Sequence, residues 1–245
     1  MNLQDSAEQE RQPRYYRIYR AILDRIHRGE LKPGDGLPSE MNLAQAYGVS
    51  PGTTRKAIDL LEERGWVDRQ HGRGTFVRRV DFSHSLARFF RLTDRQGTPL
   101  TPTSELLGVR AVPALAEPIR QLELVEDAEL IEIERLRRVE GTPLLYETLY
   151  LPAARFAALL DLPAEAWGDL LYPLYERVCG EMVFRATDTL SAVTASDTVA
   201  TQLAVEPASP VIEITRLARG YDERPLEWRV SRGRLDWFHY SFDIR

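Results

Sequence analysis

Apolar residues recur at helical spacing early in the chain, between Arg14 and Arg28. This period of about 3.6 residues predicts an amphipathic helix, and Gly29 stands where a left-handed residue commonly ends a helix. The expected buried stripe is Tyr15, Ile18, Tyr19, Ile22 and Ile26. The segment ELKPGDGLP that follows is rich in turn residues and predicts a connector.

A second, shorter helix is predicted after this connector. Ser39 is a suitable N-cap for a helix that runs through Ala46. Gly48 and Val49 then make a turn. The residues of this helix that we expect to face inward are Leu43, Ala44 and Tyr47.

A third helix and a hairpin complete this part of the chain. Ser50 caps the helix, Pro51 takes its first position, where a missing N–H costs little, and Gly65 ends it. Its buried side should consist of Ala57, Ile58, Leu60 and Leu61. Short strands at 66–69 and 75–77 flank a glycine-rich tip, QHGRG, and we call this hairpin the wing. Helix, turn, helix and hairpin in this order predict a winged helix-turn-helix, which places one helix in the DNA major groove.

Beyond residue 92 the pattern changes to strands mixed with helices. Residues 130–138 alternate, with Ile131 and Ile133 on one side and Glu132 and Glu134 on the other. Further strands are predicted at 144–151, 183–193, 211–219, 226–232 and 238–244, and helices at 153–160, 170–178 and 196–203. This mixture predicts an α+β domain with a mostly antiparallel sheet.

Charge is distributed unevenly along the chain. The net charge of the whole chain is −5. Residues 11–80 hold 14 Lys and Arg against 8 Asp and Glu and are therefore positively charged, whereas residues 1–10 carry a net charge of −3 and residues 81–245 a net charge of −8. A basic N-terminal unit joined to an acidic one is typical of a DNA-binding protein with a regulatory domain. We predict a disordered tail at 1–13, a DNA-binding domain at 14–79, a linker at 80–92 and an effector-binding domain at 93–245.

Composition excludes several classes of protein. Hydrophobic residues make up 43% of the 245, too many for wholesale disorder. No apolar run approaches the roughly 18 to 20 residues that cross a bilayer, and the polar N-terminus lacks a secretory segment, so we expect a cytoplasmic protein without a membrane partner. Cys179 is the single cysteine, and the four histidines show no ligand spacing. We therefore predict no disulfide, metal or cofactor.

The exposed first turns of the third helix are the expected DNA contact. Hydroxyl and N–H groups at a helix N-terminus suit phosphate oxygens. Arg55 is the candidate for base reading, because a guanidinium pairs bidentately with O6 and N7 of guanine. The other predicted contacts are Ser39 and Glu40 at the groove rim, Ser50, Gly52, Thr53 and Lys56 on the helix, and His71, Gly72 and Arg73 on the wing.

Plainer interpretations exist for each of these residues. Arg55 and Lys56 also fit a solvated helix face, and His71 fits an ordinary turn residue. A winged helix can also dock proteins. The order of the elements favours DNA binding over these alternatives.

The segments GELKPGDGLPSE, AYGVSPGTTRKAIDLLEERGW and HGRGTFV resemble the DNA-binding domain of the GntR family of bacterial transcription regulators, over residues 15–77. Many members have arginine where this chain has Met41 and Pro51, and those arginines commonly help to contact operator DNA. The departure shifts the expected base readout onto Arg55, the wing and any arginine nearby.

The segments IERLRRVEGTPLLYETLYLP, ATQLAVEPASPVIEITRLARGYDERPLEW and RGRLDWFHYSF resemble the UTRA ligand-binding domain of the HutC subfamily, over residues 93–245. The resemblance implies a chorismate-lyase-like fold with an effector pocket on its sheet. The pocket residues that it implies are Arg135, Arg137, Glu147, Tyr172 and Glu227.

Arg135 and Arg137 alternate on one strand and therefore point to the same face, as a two-pronged anion clamp requires. The pair also fits a salt-bridged sheet face, with Glu227 paired to Arg229 or Arg216. Phosphosugar-responsive relatives usually carry a serine near position 170 and a tyrosine near position 233, where this chain has leucine and glycine. A small carboxylate or aromatic acid is compatible with the arginines.

The sequence thus predicts a ligand-responsive transcription regulator, most often a repressor in this family, that binds a pseudo-palindromic double-stranded operator as a homodimer. Two rivals are an enzyme with lyase-like chemistry at Arg135, Arg137 and Glu147, and an architectural DNA binder with a vestigial pocket. The chain has no nucleophile elbow and no paired His and Cys, so we predict no catalytic residue.

Overall fold

The computed structural model describes residues 12–80, 92–93, 102–235 and 239–240. It divides into two compact units, Met1–Val80 and Asp81–Arg245. Most of the predicted tail at 1–13, most of the predicted linker at 80–92 and much of the predicted strand at 238–244 lie outside the described residues.

Three helices and a hairpin make up the first unit. Its core lies between the first and third helices, where Ile22, Ile58 and Leu61 are at most 1% exposed. The elements are α1 (Arg14–His27), α2 (Glu40–Tyr47), α3 (Pro51–Glu63), β1 (Val67–Gln70) and β2 (Gly74–Val77). β1 and β2 pair antiparallel.

The predicted caps are present at both later helices. Oγ of Ser39 accepts from N of Asn42 at 3.2 Å, and Oγ of Ser50 accepts from N of Thr53 at 3.3 Å. Gly48, in the turn between α2 and α3, has a φ of 62°, a left-handed conformation that favours glycine. The caps satisfy N–H groups that have no acceptor inside the helix.

Tyr47 does not face inward as predicted. It is 38% exposed, whereas Leu43 and Ala44 of the same helix are buried. α2 has only eight residues and Tyr47 is the last, so the chain leaves the helix at Gly48 before a further turn can cover the ring. 

The segment predicted as a plain connector also pairs with the wing. N of Leu37 donates to O of Thr75 at 2.7 Å, and N of Val77 donates to O of Asp35 at 2.8 Å. These bonds tie the start of α2 to β2 and thereby position the hairpin.

A six-stranded antiparallel sheet is the centre of the second unit; in chain order its strands cover Thr103–Val112 (β4), Leu130–Val139 (β5), Thr142–Pro152 (β6), Val183–Thr194 (β7), Pro210–Gly220 (β8) and Pro225–Arg234 (β9), and they lie side by side in the order β4-β5-β6-β9-β8-β7. The other elements are β3 (Leu92–Thr93), α4 (Ala116–Gln121), α5 (Ala153–Phe156), α6 (Leu171–Cys179), α7 (Asp197–Leu203) and β10 (His239–Tyr240). β3 and β10 pair with each other. The predicted α+β class is confirmed.

Helices cover parts of both faces of this sheet. α5 and α6 pack on one face around Phe156 and Tyr175, and α4 and α7 pack on the other. β5 is consequently buried on both sides, although its alternation predicted one apolar and one polar side. Glu132, for example, is only 8% exposed.

Three of the lettered elements were not predicted from the sequence, namely β3, β4 and α4. β4 is an edge strand with a register shift between Leu106 and Gly108, which interrupts its period. The predicted helix at 153–160 is α5 followed by a 3-10 turn at Ala157–Leu159.

Candidate nucleic-acid interface and effector site

The N-terminus of α3 presents hydroxyl groups at the surface. Oγ of Ser50 lies 2.9 Å from Oγ1 of Thr53, and Pro51 and Gly52 beside them are exposed. The first N–H groups of a helix have no intrahelical acceptor, and the helix dipole is positive at this end. The site is therefore suited to a phosphate oxygen.

Arg55 extends from the second turn of α3 with 66% of its side chain exposed. Its Nε donates to Oε2 of Glu40, the first residue of α2, at 3.0 Å. Lys56 beside it is exposed. The structure thus joins Arg55 and Glu40, which the sequence analysis treated as separate DNA contacts.

Arg69 on β1 belongs to the same surface and was not singled out from the sequence. Its Nη2 lies 2.6 Å from Oδ1 of Asp59 and 3.5 Å from Oε1 of Glu40, and its Nη1 lies 2.9 Å from Oε2 of Glu62. Burial opposes its charge, but the three carboxylates outweigh burial and raise the pKa of Arg69. The sequence signal for this contact is the pair of acidic residues Asp59 and Glu62, three positions apart on α3, which face Arg69 on β1.

The wing tip carries His71, Gly72 and Arg73, all exposed. N of Arg73 donates to O of Gln70 at 2.9 Å, which closes the turn. Gly72 has a φ of 71°, where a side chain would be strained. The tip can bring a guanidinium close to a phosphate or a groove.

A group of buried polar residues lies on the sheet face that α6 covers. Register brings it together, because Arg135 on β5 lies opposite Glu147 on β6, and Glu147 lies opposite Ser231 on β9. Directly paired residues point to the same face of a sheet. We call this set the buried cluster: Arg135, Arg137, Glu147, Tyr172, Tyr175, Arg216, Glu227, Arg229 and Ser231.

Glu147 is the central acceptor of the buried cluster. Arg135 donates to its Oε2 from Nε at 3.1 Å and from Nη2 at 2.5 Å, while Nη1 of Arg229 and Oγ of Ser231 donate to Oε1 at 3.3 and 3.1 Å. Burial alone would raise the pKa of Glu147, but the charges of Arg135, Arg229 and Arg137 hold it well below its usual range. Glu147 is therefore ionised at neutral pH.

Glu227 pairs with Arg229, as the salt-bridge alternative predicted. Nε and Nη2 of Arg229 donate to Oε1 and Oε2 of Glu227 at 2.9 and 3.0 Å. Tyr175 and Tyr172 on α6 donate their hydroxyls to the same carboxylate at 2.8 and 3.4 Å. Burial and the charge of Glu227 raise the pKa of Tyr172 to about 12. Of these partners, Tyr175 was missed from the sequence.

Arg137 lies on the same face as Arg135, as the alternation predicted. Its Nη1 and Nη2 donate to the backbone carbonyls of Asp169 and Pro102 at 3.2 and 3.3 Å. Burial lowers its pKa to about 10, although Glu147 attracts the charge. Nη1 of Arg135 is also buried, and the described residues offer it no acceptor. A ligand with an acceptor atom can use that donor.

Arg216 on β8 adds a fourth guanidinium and was not among the predicted pocket residues. Its Nε and Nη2 donate to the two carboxylate oxygens of Asp188 on β7, each at 2.6 Å. The four guanidinium groups of the buried cluster thus outnumber the three carboxylates of Glu147, Glu227 and Asp188 by one positive charge. This excess of positive charge favours an anionic ligand.

A groove of about 560 Å³ opens on the opposite face of the sheet. Its lining combines the hydroxyls of Thr187 and Thr215 with three guanidinium groups, those of Arg185, Arg216 and Arg219. The six charged residues of the buried cluster are at most 4% exposed. The groove and the buried cluster are both candidate effector sites: the groove is open to solvent, whereas the buried cluster concentrates ionised groups away from water.

Within the described ranges, no three His, Cys, Asp or Glu side chains group as a metal site requires. No helix in those ranges is long and apolar enough to cross a membrane. Cys179 is a free cysteine, and burial, helped by Glu181, raises the pKa of its thiol. The thiol is therefore protonated at neutral pH.

Two family models match the chain. Residues 14–77 match the model of the gntR family of bacterial regulatory proteins, and residues 98–239 match the UTRA domain. The first range contains the winged helix, and the second contains the six-stranded sheet with its buried cluster.

Similar proteins are transcription regulators by name. The chain is 30% identical over 236 residues to an HTH-type transcriptional regulator of Mycobacterium tuberculosis, and the aligned region covers 95% of this chain and 86% of that regulator. It is 27% identical over 234 residues to the repressor of the mannosyl-D-glycerate transport and metabolism system of Escherichia coli, with coverage of 93% and 95%. The crystal structure of PhnF from Mycobacterium smegmatis is similar with a TM-score of 0.55 and 25% identity, over 93% of this chain and 99% of that one.

Proposed function

The chain belongs to the gntR family of bacterial regulatory proteins and carries a UTRA domain, and from this premise we propose that it is a ligand-responsive repressor that acts in the cytoplasm as a homodimer on a pseudo-palindromic operator. The family is one of transcription regulators, not enzymes. DNA binding follows from the winged helix, and binding of a small-molecule effector follows from the UTRA domain.

The observation that carries the proposal is the exposed N-terminal edge of α3. Ser50 and Thr53 offer hydroxyl groups to phosphates, Gly52 offers its N–H, and Lys56 adds a positive charge. Arg55 is oriented by Glu40 and is 66% exposed, whereas the guanidinium of Arg69 on the same surface is engaged by three carboxylates, so we assign base reading to Arg55. Ser39 at the start of α2, and the wing residues His71, Gly72 and Arg73, complete the proposed DNA surface.

A homodimer fits the way in which such helices read DNA. Two copies related by a two-fold axis present two α3 helices to half-sites about 34 Å apart, roughly one turn of the double helix. A two-fold protein then implies a pseudo-palindromic operator. Repression is proposed because the similar Escherichia coli protein is named a repressor.

We assign the effector to the buried cluster, with Arg135, Arg137, Glu147, Tyr172 and Glu227 as contacts. The excess of guanidinium over carboxylate and the available Nη1 of Arg135 favour a small anion that also carries a donor for Glu147 or Glu227. An amino acid or a hydroxy acid has this combination. Binding regulates the protein if the effector prefers one of two placements of the DNA-binding heads.

The first test is a selection of genomic DNA fragments on the purified protein, followed by sequencing of what is retained. A sharp two-fold symmetric site is the expected result. Retention of random fragments, or of none, would contradict operator recognition. Sedimentation equilibrium with and without the selected DNA checks the homodimer, and a monomer bound to one half-site would exclude it.

The second test concerns the effector. A panel of small carboxylates, amino acids and phosphates is screened for an increase in Tm of the purified protein. The Kd of each hit is then measured for free protein and for protein saturated with the selected DNA. Equal values would show that the ligand does not regulate DNA binding, because coupling requires different affinities for the two states.

A further inference from the structure

Arg55 is held at one edge of its guanidinium and open at the other. Nε donates to Oε2 of Glu40 at 3.0 Å, and 66% of the side chain remains exposed. A guanidinium has five N–H donors, one on Nε and two on each Nη. With Nε bonded to Glu40, Nη1 and Nη2 have no hydrogen-bond partner among the described residues and remain available to DNA. Those two nitrogens form the fork that matches O6 and N7 of guanine.

Glu40 is itself held in place by the rest of the domain. Its Oε1 lies 3.5 Å from Nη2 of Arg69, whose guanidinium is fixed by Asp59 and Glu62 of α3 at 2.6 and 2.9 Å. Its backbone carbonyl accepts from Oγ1 of Thr54, also on α3, at 3.0 Å. The Glu40 carboxylate therefore joins α2, α3 and β1, and cannot swing freely towards DNA.

A tether of this kind favours recognition of a base. An arginine side chain loses rotamer freedom when it is fixed against a base, and this loss weakens the contact. Glu40 restricts Arg55 before DNA arrives, so less freedom remains to be lost. The constraint also fixes the direction of the fork, and therefore which base edge it matches.

We propose that Glu40 is a positioning residue for base recognition, which holds Arg55 by its Nε so that Nη1 and Nη2 read one guanine, and which makes no DNA contact of its own. This inference rests on the proposed function, specifically on base reading by Arg55. It replaces the sequence-based assignment of Glu40 to the groove rim. Arg69 supports this role, because its guanidinium holds the carboxylate of Glu40 in place.

Removal of Glu40 has two effects of opposite direction, and together they identify the role. Loss of a negative charge close to phosphates raises affinity for DNA of any sequence. Loss of the tether lowers discrimination at the one base pair that Arg55 reads. A carboxylate that was only structural would weaken binding to all sequences together, because fewer molecules would be folded.

The experiment uses the full-length protein, the fragment that wild type retains in the genomic selection, and every single base-pair variant of that fragment. Binding is measured for wild type, Glu40→Ala, Glu40→Gln, Arg55→Ala and the double variant Glu40→Ala with Arg55→Ala. Glu63→Ala is the matched control, because Glu63 is an exposed carboxylate at the far end of α3. A random-sequence duplex reports nonspecific affinity.

We expect Glu40→Ala to lower discrimination about tenfold at the base pair that Arg55→Ala also affects, with other positions unchanged, since a bidentate arginine contributes roughly that much. Affinity for random DNA should rise or stay the same. In discrimination at that base pair the double variant should match Arg55→Ala, because Glu40 affects discrimination only through Arg55. Glu40→Gln should fall between wild type and Glu40→Ala, since its amide oxygen can still accept from Nε.

Three results would overturn the inference. They are unchanged discrimination in Glu40→Ala, an additional loss in the double variant, and an equal loss at all positions. Glu40→Gln keeps the shape of the side chain and decides the matter if Glu40→Ala fails to fold. Failure of the proposed function is a separate outcome, because wild type itself would then show no preference for the selected fragment over random DNA.

Discussion

Arg135 donates through both Nε and Nη2 to a single oxygen of Glu147 across the β5–β6 pair, and the two side chains are 3% and 0% exposed. An anion that enters the buried cluster therefore meets a guanidinium that already holds a carboxylate. It must bind through the remaining Nη1 or displace Glu147 from its partner. Displacement of Glu147 would rearrange a buried charge network, and such a rearrangement can carry a regulatory signal.

The first prediction is that Arg135→Ala destabilises the protein strongly. Truncation leaves Glu147 buried with fewer partners, and breaking one side of a buried ion pair costs about 3–5 kcal/mol. Urea unfolding of the full chain measures the change. Arg138→Ala on the same strand is the control, because its pair with Glu105 is more exposed and should contribute less than about 1 kcal/mol. Equal losses in the two variants would show that burial of the pair is not what matters.

Arg135→Lys separates stability from effector response. A lysine keeps a charge beside Glu147 but has no planar fork and no second nitrogen for a ligand. We expect DNA affinity close to that of wild type and a weakened response to any ligand found in the Tm screen. A variant that responds to ligand like wild type would remove Arg135 from the effector site.

The second prediction concerns acid sensitivity. The folded pKa of Glu147 lies below its unfolded value of about 4.5, so the unfolded state binds more protons between the two values. The stabilisation is complete above the unfolded pKa and disappears as pH falls through the folded pKa. Glu147→Gln lacks this carboxylate, so the difference in free energy of unfolding between wild type and variant should shrink from pH 6 towards pH 3. A constant difference across that range would contradict the prediction.

Local patterns allowed most of the helix-turn-helix to be predicted. The caps Ser39 and Ser50 and the apolar spacing of α1 are determined within a few residues of sequence, so they could be read without tertiary information. The prediction that Tyr47 is buried was wrong, because the helix ends at this residue before a further turn can cover the ring. β4 was missed because its register shift at Gly108 breaks the period of two that marks a strand.

The buried cluster could be predicted in part for a similar reason. Alternation placed Arg135 and Arg137 on one face, but a pattern within one strand does not say which strand becomes its neighbour. The bond from Tyr175 to Glu227 joins residues 52 apart in the chain. Such partners depend on strand order and on how α6 packs, and neither can be derived from local spacing.

The third prediction addresses DNA recognition directly. Arg55→Ala should cost roughly 1–3 kcal/mol on the selected site and relax preference at one base pair, because it removes a bidentate contact. Lys56→Ala should instead weaken binding to all sequences and reduce the slope of log K against log salt concentration by about one. Titrations of fluorescent duplexes at several salt concentrations measure both effects. A uniform loss for Arg55→Ala would make Arg55 a phosphate contact.

The fourth prediction concerns Gly233 on β9, a position where the sheet leaves no room for a side chain. A Cβ there would lie 2.6 Å from Cδ2 of Leu145, 3.2 Å from Cγ2 of Ile212 and 3.3 Å from the carbonyl oxygen of Leu144. Leu145 is fully buried, so its methyl group cannot move aside without disturbing its neighbours. Gly233→Ala should therefore cost about 1–3 kcal/mol through overpacking.

Gly108 on β4 is the matched control for this prediction. A Cβ added there would meet nothing within 4 Å, and its backbone is not in the left-handed region. Gly108→Ala should be neutral or slightly stabilising, because alanine reduces the conformational entropy of the unfolded chain. Urea unfolding of both variants makes the comparison. If Gly233→Ala were as stable as Gly108→Ala, β9 and β6 would have to separate locally to admit the methyl group, and the position of Ser231 beside Glu147 would change with them.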